Sequence, residues 1–198
     1  WGPNLLRNFR SLPDTCLKLM CDVDPQRLQH LRALYPEIEA HTDYSHIVNG
    51  AGLDAVVIAT SLPLHFPMAK ASLLAGKHTF IEKPLTETVD EAEQLVRLSK
   101  QKNAKVQVGH IERFNPALLA LEKYHLNPMF IESHRLAQFN PRGSDVPVVL
   151  DLMIHDLDIV LDLVKSSIRS VDAVGAYILS KTEDISNARI RFDNNVVC

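Results

Sequence analysis

Gly76-Lys77-His78-Thr79-Phe80-Ile81-Glu82-Lys83-Pro84-Leu85 is the stretch whose reading decides the fold. Thr79 to Ile81 is a short apolar strand that runs straight into the triplet Glu82-Lys83-Pro84. Upstream, Asp54 to Thr60 is almost continuously apolar, as expected of a strand buried on both faces. Between the two, Leu64 to Ala75 carries a helical pattern. Strand, helix, strand is a βαβ unit, and the triplet falls where its second strand ends. In open α/β sheets the ligand crevice lies at the carboxyl ends of the strands. A lysine fixed there, with a proline stiffening the turn behind it, is placed for chemistry. The alternative is a solvated lysine in a surface loop.

The same alternation extends in both directions. Trp1-Gly2-Pro3-Asn4 leads into an amphipathic run with Leu5, Leu6 and Phe9, and proline suits a first helical turn. Cys16 to Cys21 reads as an apolar strand ending at Asp22, and Pro25 opens a helix with Leu28, Leu31 and Leu34 on one face. Asp43 to Val48 reads as a short helical turn. Thr86 or Thr88 caps a long helix with Ala92, Leu95, Val96 and Leu98 inward, and Lys105 to Val108 is a strand closed by Gly109. Short loops between alternating strands and helices specify an α/β fold with a doubly wound parallel sheet.

After Asn115-Pro116 the style changes. A helix is expected from Ala117 to Tyr124, a long strand from Met129 to Phe139, and a strongly apolar helix from Asp151 to Val164. Ile168 to Tyr177 and Ile185 to Phe192 read as long strands with no helix between them, hence an antiparallel pair, with a hairpin turn at Asp193-Asn194-Asn195. The expected domains are 1–115, dinucleotide-binding, and 116–198, the start of an α+β domain with a mostly antiparallel open sheet. No strand precedes Gly2 in the first sheet, and the chain stops inside the apolar run Val196-Val197-Cys198. Both ends therefore read as cut from a longer polypeptide.

Composition narrows the function classes. A hydrophobic share of 46% with 23% charged residues is that of an ordinary globular protein, and a net charge of −3 argues against nucleic acid and anionic membrane as partners. Cys16, Cys21 and Cys198 form neither a disulfide framework nor a zinc pattern. They fit a reducing, cytoplasmic setting, and no metal is expected. No apolar run approaches the length of a membrane span.

Three constellations carry chemistry. Gly2 can be the last glycine of a G-x-G-x-x-G loop in a Rossmann unit, and Asp22 follows it by twenty residues, about the spacing at which a carboxylate takes the ribose hydroxyls. An Asp there repels a 2′-phosphate and favours NAD; Asp24 is a rival for the role. Thr60, Ser61 and His65 lie at a strand end and the following helix start, where small hydroxyl residues let a cofactor approach the backbone. Capping by Ser61 is the plainer reading. Finally, Asp151 and His155 stand four residues apart in an otherwise apolar segment and share a helix face. His is the side chain most easily poised to move a proton near neutral pH; a satisfied core histidine is the alternative.

Together these segments resemble the Gfo/Idh/MocA family, that of glucose-fructose oxidoreductase and inositol dehydrogenase. The Gly76-Lys77-His78 strand start with Glu82-Lys83-Pro84 at its end, and the Asp151/His155 helix downstream, are the specific matches. The resemblance implies a Rossmann domain followed by an open sheet that carries substrate and mediates homo-oligomerisation. It implies hydride transfer between nicotinamide and a carbinol carbon of a sugar or cyclitol. Lys83 and His155 would be the catalytic pair and Asp151 would position the substrate, while Gly2, Asp22, Thr60, Ser61, His65, Glu82 and Lys83 would line the NAD site. Val108 to Pro116 resembles members that act on UDP-N-acetylglucosamine, with His110 and Arg113 as donors to the sugar or its diphosphate; a salt bridge at the domain hinge is the alternative for Arg113. Ser61 stands where many members have proline directly after Ala-Thr. Either Lys83 or His155 can be the base. The competing classes are a non-catalytic nucleotide-sensing regulator of the same fold and a biliverdin-reductase-like reductase.

Overall fold

In the computed structural model, which describes residues 1–138 and 146–198, the chain divides into two units, Trp1–Gly109 and His110–Cys198. In the first, helices begin where the sequence offers a cap. Pro3 sits in the first turn of α1 (Gly2–Ser11). Asp24 Oδ1 accepts from the amides of Gln26 and Arg27, at 2.9 and 3.3 Å, to start α2 (Pro25–Leu34). Thr88, not Thr86, caps α5 (Val89–Lys102) in a reciprocal capping box with Glu91.

The strands pair in parallel. β1 (Leu19–Cys21) runs beside β2 (Glu39–His41). β4 (His78–Ile81) lies between β3 (Ala55–Ile58) and β5 (Val106–Val108), with Val57 opposite Phe80 and Ile81 opposite Val108. The short helix α3 (Ser45–Asn49) follows β2, and α4 (His65–Leu74) crosses from β3 to β4. Val56, Ile58 and Ile81 pack against Ala69 and Leu73 of α4 and Leu95 of α5 to form the main core. Three expectations need correction. β3 is not sealed on both faces: Val57 is 37% exposed, because β1 and β3 border a cavity of about 480 Å³. Leu34 and Val96, expected inward, are 56% and 48% exposed. β2 was not foreseen, since only Ala40 of its three residues turns inward.

The start of the decisive stretch now has physical reasons. Gly76 adopts φ +77°, a conformation side chains rarely take. Lys77 is buried, and its ammonium donates to the carbonyls of Gly50 at 2.8 Å and Leu53 at 3.2 Å, tying the β3 approach to the β4 start. His78 Nδ1 accepts from the Lys105 amide at 2.8 Å, fixing the entry to β5.

In the second unit, Asn115 caps a single helical turn, α6 (Pro116–Leu119), and turns replace helix over 120–124. Among the described residues of the strand expected over Met129–Phe139, the pairing is one bridge between Phe130 and Val197; Phe139 itself lies outside them. A π turn, Val149–Met153, runs into α7 (Ile154–Val164). β6 (Ile168–Ala176) and β7 (Ile185–Phe192) form the expected antiparallel pair. The chain reverses at Asp193–Asn195, and Cys198 and Ile190 exchange backbone hydrogen bonds at 2.8 and 2.9 Å. Phe192, fully buried, joins Ile190 and Val196 against Val160 and Val164 of α7.

Candidate active site

The Glu82-Lys83-Pro84 turn leaves the carboxyl end of β4, the middle strand of three. The Glu82 amide donates to Ile58 of β3 at 2.9 Å and the Gly109 amide donates to Ile81 at 2.8 Å, so both neighbours clamp the strand where the turn begins. Glu82 is buried, and its carboxylate lies on Gly109: a Cβ there would stand 3.0 Å from Glu82 Oε2. The Lys83 amide donates to the same carboxylate oxygen at 3.3 Å. Lys83 is half-buried, and its bond to Pro84 is cis.

His65, expected beside a cofactor, opens α4 and is 2% exposed. Its Nδ1 is 2.8 Å from the Pro84 carbonyl and its Nε2 is 3.2 Å from the Thr60 carbonyl. The ring therefore bridges the end of the β3 segment to the turn that carries Lys83. Ser61 stands at the cap position of a 3₁₀ turn, Leu62–Leu64, with no side-chain cap bond, so capping does not account for its hydroxyl.

Gly2, Asp22, Thr60 and Ser61 line one cavity with the apolar residues of β1 and β3. Asp22 Oδ2 accepts from Arg27 Nη1 at 2.7 Å, and its Oδ1 accepts from the Asp24 amide at 3.0 Å. Asp24 is occupied as the α2 cap and is not in the lining, whereas Asp22 is. The helix N-terminus at Gly2, the Asp22 carboxylate and the hydroxyl residues Thr60 and Ser61 are groups of the kind that phosphate and ribose take, in a cavity whose remaining lining is largely apolar.

The second unit gathers a different set. Asp151 lies in the π turn and His155 one residue into α7. A π turn closes one residue later than an α turn, so four residues stop just short of a full revolution there. Arg113, expected to meet a diphosphate, is already taken up by carboxylates. Its Nε and Nη2 donate to Asp158 at 2.8 Å each, and Nη1 donates to Asp162 at 3.1 Å. His110 Nδ1 is buried 4.0 Å from the Asp158 carboxylate, beyond hydrogen-bond reach. Arg135 holds Asp156 through Nε at 2.9 Å and Nη2 at 3.1 Å, and Ser133 adds a bond at 2.9 Å. Burial pushes both carboxyls up, but the arginine hydrogen bonds and neighbouring positive charge, His155 included, hold Asp156 and Asp158 below the usual carboxylate range. Asp156 and Asp158 escaped the sequence reading; the available signal was the four-residue spacing of Asp158 and Asp162 on one helix.

The chain's kinship agrees with this geometry. Residues 2–110 match the family model described as the oxidoreductase family with an NAD-binding Rossmann fold, and the protein belongs to that Gfo/Idh/MocA family. It is 37% identical over 148 residues to the UDP-N-acetylglucosamine 3-dehydrogenase of Acidithiobacillus ferrooxidans, covering 74% of this chain and 47% of that protein. It is 32% identical over 161 residues to the inositol 2-dehydrogenase of Acidothermus cellulolyticus, covering 77% and 47%. A crystal structure of the former enzyme superimposes with a TM-score of 0.84 at 33% identity, over 91% of this chain and 59% of that one. The chain thus spans about half the length of the curated relatives it matches. Among the described residues, no helix is long and apolar enough to cross a membrane, and no group of three or more His, Cys, Asp or Glu is placed to hold a metal ion.

Proposed function

We propose that the protein is an NAD-dependent dehydrogenase that moves hydride between nicotinamide and a carbinol carbon of a UDP-linked amino sugar, UDP-N-acetylglucosamine first among candidates. The observation that carries this reading is the Lys83 turn at the carboxyl end of the central parallel strand, and the similarity to a UDP-sugar dehydrogenase supports the substrate class. Bound NAD supplies the hydride acceptor. Asp22 would take the ribose hydroxyls, the α1 N-terminus at Gly2 would meet the diphosphate, and Thr60, Ser61, Glu82 and Lys83 would complete the cofactor side.

An alcohol cannot release hydride without losing its proton, so a base must take that proton as the C–H bond breaks. His155 does so, and the charged carboxylates of Asp156 and Asp158 favour the positive charge that then arrives on its ring. The Lys83 ammonium steadies the developing alkoxide. Asp151 orients the substrate and His110 borders it, while Arg113 holds α7 through Asp158 and Asp162. The exposed apolar residues Val171, Val174 and Ile185 on β6 and β7 support a homo-oligomer formed through that sheet. No nucleic acid or membrane partner is proposed, and the setting is cytoplasmic.

Incubating the full-length enzyme with NAD and a panel of UDP-sugars, inositol and glucose tests the substrate. NADH is expected with a UDP-sugar; NADH from inositol or glucose alone would move the protein to another branch of the family. Cofactor choice has its own test. Asp22→Ala should weaken NADH binding by about tenfold or more, the scale of a charge-assisted hydrogen bond. It should also strengthen NADPH binding, because Arg27 is released to meet a 2′-phosphate. Titration of both nucleotides reads this out, and wild-type protein that binds NADPH as tightly as NADH would refute the Asp22 role.

A further inference from the structure

We propose that His65 is a positioning residue for Lys83, acting through the backbone on both sides of the site rather than by touching cofactor or substrate. The inference rests on the reading of Lys83 as a residue of the chemical step. An imidazole carries two nitrogens set on opposite sides of a rigid ring. In His65 each faces a main-chain carbonyl, that of Pro84 at 2.8 Å and that of Thr60 at 3.2 Å, and the ring is 2% exposed. One carbonyl belongs to the residue directly after Lys83, the other to the loop that follows β3 and lines the cavity. The ring therefore sets the spacing between the two loops, and with it the origin of the Lys83 side chain. The polar ends of His65 point at protein, so cofactor contact does not explain why a histidine stands there. Whichever nitrogen carries the proton donates to its carbonyl, and an apolar residue of the same size would fill the space and lose that tie.

The test compares His65→Phe, His65→Gln and Leu73→Val in the full-length enzyme. Leu73 is fully buried in the same helix, without polar contacts, and serves as a stability control. The Phe variant should lose at least about tenfold in kcat with KM for NAD within about twofold, since small misplacements of a reacting group are costly. Gln, which keeps a donor, should fall between Phe and wild type. A second readout needs no turnover. Lys83 is labelled with an amine-selective reagent over a pH series and quantified by peptide mass spectrometry. Its reactivity profile should shift by at least about threefold in rate in the Phe variant and stay put in Leu73→Val. If Phe and the Leu73 control lose activity and melting temperature in parallel, with unchanged Lys83 labelling, His65 is merely structural and the proposal fails. If Phe does not fold, unchanged labelling and rate in Gln overturn it equally. If Lys83→Ala keeps full kcat, the catalytic reading of Lys83 has failed on its own, and the labelling alone decides whether His65 positions that amine.

Discussion

Lys83→Ala is expected to lower kcat at least about 100-fold, the typical scale of a positioned catalytic group, while the melting temperature stays within a few degrees. The backbone of this residue and its side chain do different things. The strand end is fixed by the ladder bonds to Ile58 and from Gly109, and by the buried Glu82 carboxylate, none of which needs the Lys83 amine. Around it the core is built from Ile58, Ile81, Leu73 and Leu95, so truncating a half-buried lysine opens no cavity among them. Arginine would not replace it: a planar fork differs in reach and geometry from a compact ammonium. Steady-state kinetics with a thermal melt decides the matter, and a variant that keeps its rate would sink the assignment.

His155→Ala should cost about 10²- to 10⁴-fold in kcat, as expected when a general base is removed. The signature lies in the pH profile. A base must be unprotonated to act, so wild-type kcat/KM should fall as pH drops through the ionisation of His155. In the variant that acidic limb should disappear, leaving a low, flat rate. Asp156 and Asp158 give an internal control. Their carboxyls are held below the ordinary range by Arg135, Arg113 and neighbouring charge. Their contribution to stability is present above the usual carboxylate pKa and is lost only as pH falls through the depressed values. Any loss of fold from these two groups is therefore confined to pH below the ordinary carboxylate range. A His155→Ala enzyme that retains the wild-type limb would assign the base elsewhere.

The sequence disclosed most where burial and capping speak through side-chain type. The apolar runs of β3 and β4, the proline that opens α2 and the threonine that caps α5 are local signals, and the parallel order follows from their alternation. β2 was silent because a three-residue strand with polar Glu39 and His41 has no periodicity to read. Over 129–138 the alternation was present, but among the described residues it meets a partner only in the bridge at Phe130. The π turn before α7 depends on backbone hydrogen bonds that no residue spacing announces. The site shows the same division. The places of Lys83 and Asp22 just beyond strand ends were legible. The work of His65 was not, because its partners are main-chain carbonyls 5 and 19 residues away and carry no side-chain identity. Arg113 was open between phosphate donor and salt bridge, because a guanidinium reads the same in sequence whether or not two carboxylates have claimed it.

The central place of β4 has a kinetic meaning as well. A strand bonded on both edges releases its amides to solvent only when the sheet around it opens, whereas helix ends and outer strands fray in much smaller fluctuations. Phe80 and Ile81 have partners on both β3 and β5. The lysine two residues beyond Ile81 is thus anchored to the part of this unit that opens last. Loops on the cofactor side can breathe through many cycles of binding and release while the point from which the amine projects stays still.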